Sequence, residues 1–545
     1  MAKVILKQLS SLEKVFLEGG SFEEIFGASA LKGERISWQI LYTAEPGGTG
    51  KLKADVTVKA DPCLNVCLRQ VENVPCSLPC ALNADDGFYL KTTPGLYPDL
   101  LMPLDEVFLI KEGLSYSLFV TCEIPEEIDA GEYPVTVSFA VEDEILEKTF
   151  TVTVLPAILP KQETVYTQWF HADCLASYYG DEVFSEAHWT RIDQFLASAA
   201  RIGINMILTP VFTLALDTEV GVERPTLQLV DVIRKNGVYS FGFARLKRWI
   251  DLCKKHGIER FEISHLFSQW GTGFAPKIMA ETENGTEKIF GWHTPVVGSG
   301  YDEFLKAFLP ALVRMLTEEG VFESCYFHVF DEPRYPDHLE AYKTAHAMIA
   351  DFLPEDQLMD AISHREFVEM GLVRRPVTIT SSIDDFFQHD ICDIWAYTCC
   401  FPNSDGYSNR FLAMPSYRNR ITGFQLYRYG IEGFLNWGYN FYYSQLSRKV
   451  IDPFRDTCGD DGWSGGDTFS VYPGKDGPLE SLRSEVFFEG LQDIRACKLL
   501  ERFIGRDAVL ALLGDITFNR YPRSNAEVLK LRETINRELA KNLVL

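Results

Sequence analysis

Cys325-Tyr-Phe-His-Val-Phe-Asp-Glu-Pro-Arg-Tyr335 decides the fold class, because a short apolar run stops there at two adjacent acids and a proline. Tyr326, Phe327, Val329 and Phe330 are aromatic or β-branched, which suits a pleated backbone covered on both faces. Pro333 removes a donor and disfavours helical geometry at the residue before it, so Asp331 and Glu332 are expected in an extended strand exit. Carboxylates at the carboxyl end of a parallel strand sit where α/β barrels keep their chemistry. Taken alone, the pair also fits a solvated Asp-Glu-Pro turn.

Outward from this run, the chain after Gln162 alternates short apolar runs with amphipathic stretches, the sequence sign of βαβ units. Strands are expected at 165–170, 205–209, 260–265, 325–330, 357–362, 391–396, 410–414 and 433–437. Helices are expected at 186–202, 243–256, 302–319, 336–352 and 419–429. Eight strands with intervening helices predict a closed (β/α)8 TIM-type barrel more readily than an open sheet. From Arg35 to about Leu155 the period differs. Ser37-Trp-Gln-Ile-Leu-Tyr42, Ala54-Asp-Val-Thr-Val58, Tyr116-Ser-Leu-Phe-Val-Thr121, Tyr133-Pro-Val-Thr-Val-Ser-Phe139 and Thr149-Phe-Thr-Val-Thr-Val154 alternate at turn-length spacing, which predicts an antiparallel β-sandwich. Pro156 to Pro160 reads as a linker. The expected organisation is an N-terminal β-sandwich at 1–160, a (β/α)8 barrel at 161–500 and a short C-terminal helical segment at 501–545. Helices at 481–504, 507–513 and 525–543 would close and cover the barrel. With no aromatic platform visible in its strands, the sandwich is expected to buttress rather than to bind carbohydrate.

The 545 residues are 46% hydrophobic, enough for several cores. Lys and Arg number 52 against 77 Asp and Glu, a net charge of −25 that opposes nucleic acid and anionic membrane surfaces, so neither is expected as a partner. The start lacks a long apolar stretch and no run reaches bilayer length, which predicts a cytoplasmic protein. Thirteen cysteines, an odd number thinly spread, argue for reduced thiols. Cys63, Cys67, Cys76 and Cys80 are the one dense group. Zinc sites usually space each pair by two residues, and alternation along a strand suits small hydrophobes instead.

What lies at the expected strand exits points to function. Trp169 and His171 follow strand one, His265 and Trp270 strand three, Asp331 and Glu332 strand four, Trp395 and Tyr397 strand six, and Trp437, Tyr439 and Asn440 strand eight. Each alone fits a packing role. Together they describe an aromatic-walled pocket floored by two acids, the parts that glycoside hydrolysis needs. The Gly- and Asp-rich loop 456–475 should overhang it. No metal-ligand spacing, phosphate-cradling loop or nucleophile elbow competes, so no cofactor is expected.

Ser264-His-Leu-Phe-Ser-Gln-Trp-Gly271, Val329-Phe-Asp-Glu-Pro333, Ser408-Asn-Arg-Phe-Leu-Ala-Met-Pro-Ser416, Gly430-Ile-Glu-Gly-Phe-Leu-Asn-Trp-Gly-Tyr-Asn440 and Gly466-Asp-Thr-Phe-Ser-Val-Tyr-Pro-Gly474, with Ser481-Leu-Arg-Ser-Glu485, resemble glycoside hydrolase family 123. The resemblance runs from about Thr164 to about Leu500, and the family is represented by β-N-acetylgalactosaminidases. It implies a sandwich, a (β/α)8 barrel and a retaining mechanism in which the substrate's own 2-acetamido group is the nucleophile. The family's adjacent Asp-Glu pair maps onto Asp331 and Glu332. Ordinary retaining glycosidases hold two carboxylates about 5–5.5 Å apart across the bond, which neighbouring residues do not suit. With an amide nucleophile, Glu332 is the expected general acid and base, its pKa raised by the pocket, and Asp331 the ionised partner of the amide. Trp395 and Trp437 would press the acetamido methyl toward the anomeric carbon, and Tyr397 would donate to the amide oxygen. His171, His265, Trp270, Tyr439 and Asn440 complete the expected sugar-binding set. The expected activity is an exo-acting β-N-acetylhexosaminidase, foremost on N-acetylgalactosamine. A glycosidase of the same fold for another sugar and a sugar-binding barrel without turnover are the alternatives.

Overall fold

The alternating runs of the first 158 residues pair into two five-stranded sheets in this computed structural model, which describes residues 3–47, 50–269 and 273–543. One sheet orders Val4–Ser10, Arg35–Ala44, Ser115–Glu123, Asn65–Cys76 and Gly95–Pro103, with every neighbour antiparallel. The other orders Gly27–Lys32, Glu144–Ile158, Gly131–Val141, Lys51–Lys59 and Phe108–Lys111, where only the first pairing is parallel. Alternation buries Val135, Val137 and Phe139 along one strand, and Trp38 stacks on Phe150 of the opposite sheet at 4.3 Å. The strand Glu144–Ile158 runs through Pro156 and pairs again with Lys32 at Ile158. The stretch expected to be a linker therefore continues the sheet, and Pro156 is tolerated because it falls at the register shift after Val154.

Downstream, eight parallel strands form two half-barrels. Val165–Gln168, Gly433–Asn436, Trp395–Thr398, Arg375–Ile379 and Met359–Ala361 make one, and Met206–Thr209, Arg260–Ile263 and Cys325–Phe327 the other. They meet at a parallel bridge between Phe327 and Leu358 and, on the other side, where the Asn205 amide donates to the Tyr166 carbonyl at 3.1 Å. Helices Glu186–Arg201, Ala244–Lys255, Tyr301–Glu318, Leu339–Ile349 and Thr422–Tyr429 fall between the strands, near their expected places. A four-stranded sheet of Val238–Gly242, Asp231–Lys235, Ile278–Thr282 and Gly285–Phe290 is inserted around the second and third crossovers.

Two strand assignments are corrected. Residues 410–414 form no strand. Their apolar side chains are buried by packing, while Lys14 of the sandwich donates to the carbonyls of Leu412 (2.6 Å) and Met414 (2.7 Å). Among the parallel strands, the unforeseen one is Arg375–Ile379, whose Arg-Pro opening hides its pattern, and the sixth expected strand is displaced to Trp395–Thr398.

Helix Leu482–Ile504 opens on a capping box between Ser481 and Ser484 and lies against Thr422–Tyr429, where a Cβ on Gly423 would meet the Gly490 carbonyl at 2.0 Å. Helix Asn525–Leu543 reaches back to the sandwich, and Arg532 pairs with Glu34 at 2.7 Å. Glu485 binds Arg35 (2.9 Å), Arg201 (2.8 Å) and Arg69, and Arg483 takes both oxygens of Asp99 at 2.9 Å. Among the described residues no helix is long and apolar enough to cross a membrane.

Candidate active site

The fourth parallel strand ends at Phe327, three residues sooner than expected. Beyond it the amides of Val329 and Phe330 both donate to Asp360 Oδ1, at 2.9 and 3.0 Å, so a buried carboxylate replaces the ladder and carries the backbone to Asp331. Glu332 is not extended: its φ is +47°, in the left-handed region. Pro333 bars the right-handed alternative, and a non-glycine residue held there stores strain.

The two carboxylates sit in different surroundings. Asp331 is 5% exposed and accepts a hydrogen bond from Gln269 Nε2 at 2.8 Å, while Gln269 Oε1 accepts the Asp217 amide. Glu332 is half-buried and accepts the Tyr397 hydroxyl at 2.8 Å. Burial first, and then the Glu332 charge, push the Asp331 carboxyl well above the usual range, against His328 and the Gln269 hydrogen bond. Asp331, expected from sequence to be the ionised member, is instead held toward its protonated form, because it points into the buried floor.

A cavity of about 110 Å³ opens over the pair, lined among others by Trp169, His171, Asp217, Tyr397, Trp437 and Trp463. Its aromatic wall is held from behind. Trp169 Nε1 donates to Glu262 at 2.6 Å, and Trp437 Nε1 to Asp467 Oδ2 at 3.2 Å. Trp437 packs on Trp463 and Phe441, with ring centroids 5.2 and 5.0 Å away. Asp467 lies on the 456–475 loop, where burial raises its carboxyl to about 7. That loop passes so near strand eight that a Cβ on Gly438 would meet the Asp467 and Thr468 carbonyls at 2.5 Å. Arg410 is buried at the same corner and binds Gln168, Asn436 and the Gly438 carbonyl, each at 2.5 Å.

Of the expected site residues, Asp331, Glu332, His171, Tyr397 and Trp437 come together around the cavity. His171 takes an Arg224 N–H on Nδ1 (3.1 Å) and gives Nε2–H to the Trp437 carbonyl (3.0 Å); burial, followed by Arg224, lowers its pKa to about 3, so it is neutral. Asn440 clips the His171 backbone, accepting its amide at 2.8 Å and donating to its carbonyl at 3.1 Å. Tyr439 donates to the Phe195 carbonyl at 2.9 Å in the core outside the strands. Trp395 opens its strand at the end remote from the exits and packs on Tyr326, with ring centroids 5.2 Å apart. His265 lies beneath the floor, stacked on His328 at 4.1 Å. Trp270 lies outside the described residues.

Asp217, Gln269, Glu262, His328 and Asp360 are not among the site residues expected from sequence. Glu262 had a readable signal, a lone acid inside the apolar run Arg260–Ile263, which a buried strand tolerates only with a partner. Asp217, with φ +41° and a carboxyl raised by burial to about 6, sits in a loop that no pattern marks. Among the described residues, no three His, Cys, Asp or Glu side chains gather as a metal-holding group.

An acidic pair beneath aromatic walls at parallel-strand exits is the arrangement of sugar-cleaving sites. Residues 169–500 match the glycoside hydrolase family 123 catalytic domain, and the chain belongs to that family of glycoside hydrolases. A family 123 glycoside hydrolase from Clostridium perfringens, described for glycolipid glycan hydrolysis, superposes with a TM-score of 0.77 at 16% identity over 99% of both chains. A β-glucuronidase from Parabacteroides merdae aligns over 91% of this chain and 52% of its own, at 11% identity, with a TM-score of only 0.31. No curated protein matches the chain in sequence.

Proposed function

We propose that the protein is a retaining exo-β-N-acetylhexosaminidase, acting foremost on terminal β-linked N-acetylgalactosamine, with the substrate's 2-acetamido oxygen as nucleophile. The observation that carries this reading is the adjacency of Asp331 and Glu332 on one strand exit, both at the cavity and in unlike surroundings. Adjacent acids cannot straddle a glycosidic bond, whereas one can serve the leaving oxygen and the other the amide. We read the two half-barrels as one (β/α)8 barrel, with the sandwich as its buttress.

Glu332, hydrogen-bonded to Tyr397, protonates the leaving oxygen and later deprotonates water. Asp331 accepts the amide N–H and stabilises the charge that grows as the ring closes. In the empty pocket burial favours a proton on Asp331. An amide N–H donated to Asp331 favours its ionised form, so substrate binding works against the proton that burial favours there. Trp437 and Trp169 supply apolar faces for the sugar and its methyl. The Clostridium neighbour's description suggests a glycolipid glycan as the natural substrate class.

Asp217 is the third carboxylate lining the cavity among the described residues, and an ordinary double displacement would take it as the nucleophile. Comparing nitrophenyl glycosides of N-acetylgalactosamine, N-acetylglucosamine, galactose and glucose tests the choice. Turnover confined to the acetamido sugars is expected. Equal rates on galactoside would move the nucleophile to Asp217, and binding without turnover would make the protein a lectin-like barrel.

A further inference from the structure

His328 lies one layer below the pair and enters no step above, yet it sits between two buried carboxylates. Its Nε2 is hydrogen-bonded to Glu262 Oε1 at 2.5 Å, and its Nδ1, which makes no hydrogen bond, lies 3.4 Å from Asp360 Oδ1, with all three side chains sealed from solvent. A neutral imidazole has one N–H to offer, and facing two carboxylates leaves one nitrogen lone pair against a negative oxygen. An imidazolium has a donor for each side, and no Lys or Arg is paired with either acid among the described residues. His265 stacks on the same ring, interplanar angle 14°, with neither of its own nitrogens partnered. Burial and the neighbouring His328 hold His265 well below its ordinary pKa, so the positive charge stays on His328.

Each carboxylate beside His328 has a second duty. Glu262 Oε1 also accepts the Trp169 indole N–H, and Oε2 accepts the Thr167 hydroxyl at 2.7 Å. Asp360 Oδ1 takes the two amides leading to Asp331, and Oδ2 takes the Tyr342 hydroxyl at 2.5 Å from helix Leu339–Ile349. We propose that His328 is a positioning residue, a permanently charged imidazolium that locks Glu262 behind Trp169 and Asp360 behind the Asp331–Glu332 exit, and opposes a proton on Asp331. The titratable groups facing it are Glu262, Asp360, His265 and Asp331, with Tyr342 reached through Asp360. Burial alone would discharge it, but the two carboxylates overcome that and raise its pKa to about 10. The activity arm of the test rests on the function proposed above; the spectroscopic arm does not.

Imidazole nitrogen NMR of the whole protein at pH 9 is the first measurement. Of the ten histidines, one is expected to remain doubly protonated, and its signal should vanish in His328→Gln. No imidazolium at pH 9, or one that survives the substitution, overturns the proposal. The second measurement is the pH profile of kcat/KM on a nitrophenyl N-acetylgalactosaminide. In His328→Gln, kcat should fall by about 10²-fold with KM changed less than about threefold. The acid limb, set by ionisation of Asp331, should move up by about one pH unit because the opposing cation is gone. A fall in kcat with an unmoved limb is the result of a merely structural role and overturns the charge argument. If His328→Gln does not fold, the wild-type NMR signal alone decides. If the wild type shows the imidazolium but turns over none of the glycosides, the function proposed above fails while this charge assignment stands.

Discussion

Asp331 and Glu332 share a peptide bond but not an environment, and that difference makes their roles separable by substitution. A general acid matters as much as the leaving group needs a proton. Glu332→Gln should slow hydrolysis of a natural glycan by about 10²–10⁴-fold and a nitrophenyl glycoside much less. Asp331→Asn should slow both substrates by similar factors, because amide cyclisation is common to the two. Sparing of the activated substrate by Asp331→Asn alone would swap the roles. Asp331 also predicts a pH effect on stability. Its folded pKa is raised above the ordinary 3.8, so the stability it contributes is fully present below that value and is lost as pH rises through the folded pKa. At pH 8 Asp331→Asn should therefore be more resistant to urea than the wild type, and at pH 4 the two should converge; a variant less stable at pH 8 would contradict this. Activity is expected to persist in EDTA and in dithiothreitol, since the sequence offers no ligand spacing and the thirteen cysteines are free thiols. Loss in EDTA that a divalent ion restores would refute that expectation.

Strands and helices were legible to the extent that their signals are local. The sandwich strands alternate, and the first four and the last of the parallel strands carry β-branched and aromatic runs between amphipathic helices. Arg375–Ile379 was missed because Arg and Pro open it, and 410–414 mimicked a strand because tertiary packing buries that irregular segment just as completely. The exits could be listed from sequence, but not the direction each side chain takes. Trp395 and Tyr397 stand two apart on one strand, so both face its interior side, yet only Tyr397 is high enough to line the cavity. Gly438 carries an element-level prediction. Gly438→Ala would push loop 467–468 off strand eight, release Trp437 from Asp467 and lower kcat on the order of 10²-fold, which steady-state assays can check. Wild-type turnover in this variant would detach the loop from the site.

At the scale of the whole molecule, part of the family motif proves to be mechanical. Arg483 and Glu485 touch no part of the cavity; they bind Asp99, Arg35, Arg69 and Arg201 and so bolt the sandwich to the helix that closes the half-barrels. Removing one partner of such a buried cluster leaves like charges uncompensated. Glu485→Gln should cost about 3–5 kcal/mol by chemical denaturation while leaving KM unchanged at permissive temperature. Ion pairs lie at the seam with the sandwich, while the residues lining the aromatic cavity all lie downstream of it. In the proposed mechanism the substrate brings its own nucleophile. The most direct test of this is the ratio of kcat/KM on nitrophenyl N-acetyl-β-galactosaminide to that on nitrophenyl β-galactoside, sugars that differ only at the 2-position. A ratio of at least about 10³ is expected, because losing the acetamido group removes the attacking oxygen and the contact to Asp331 together; a ratio near one would rule out an acetamido nucleophile.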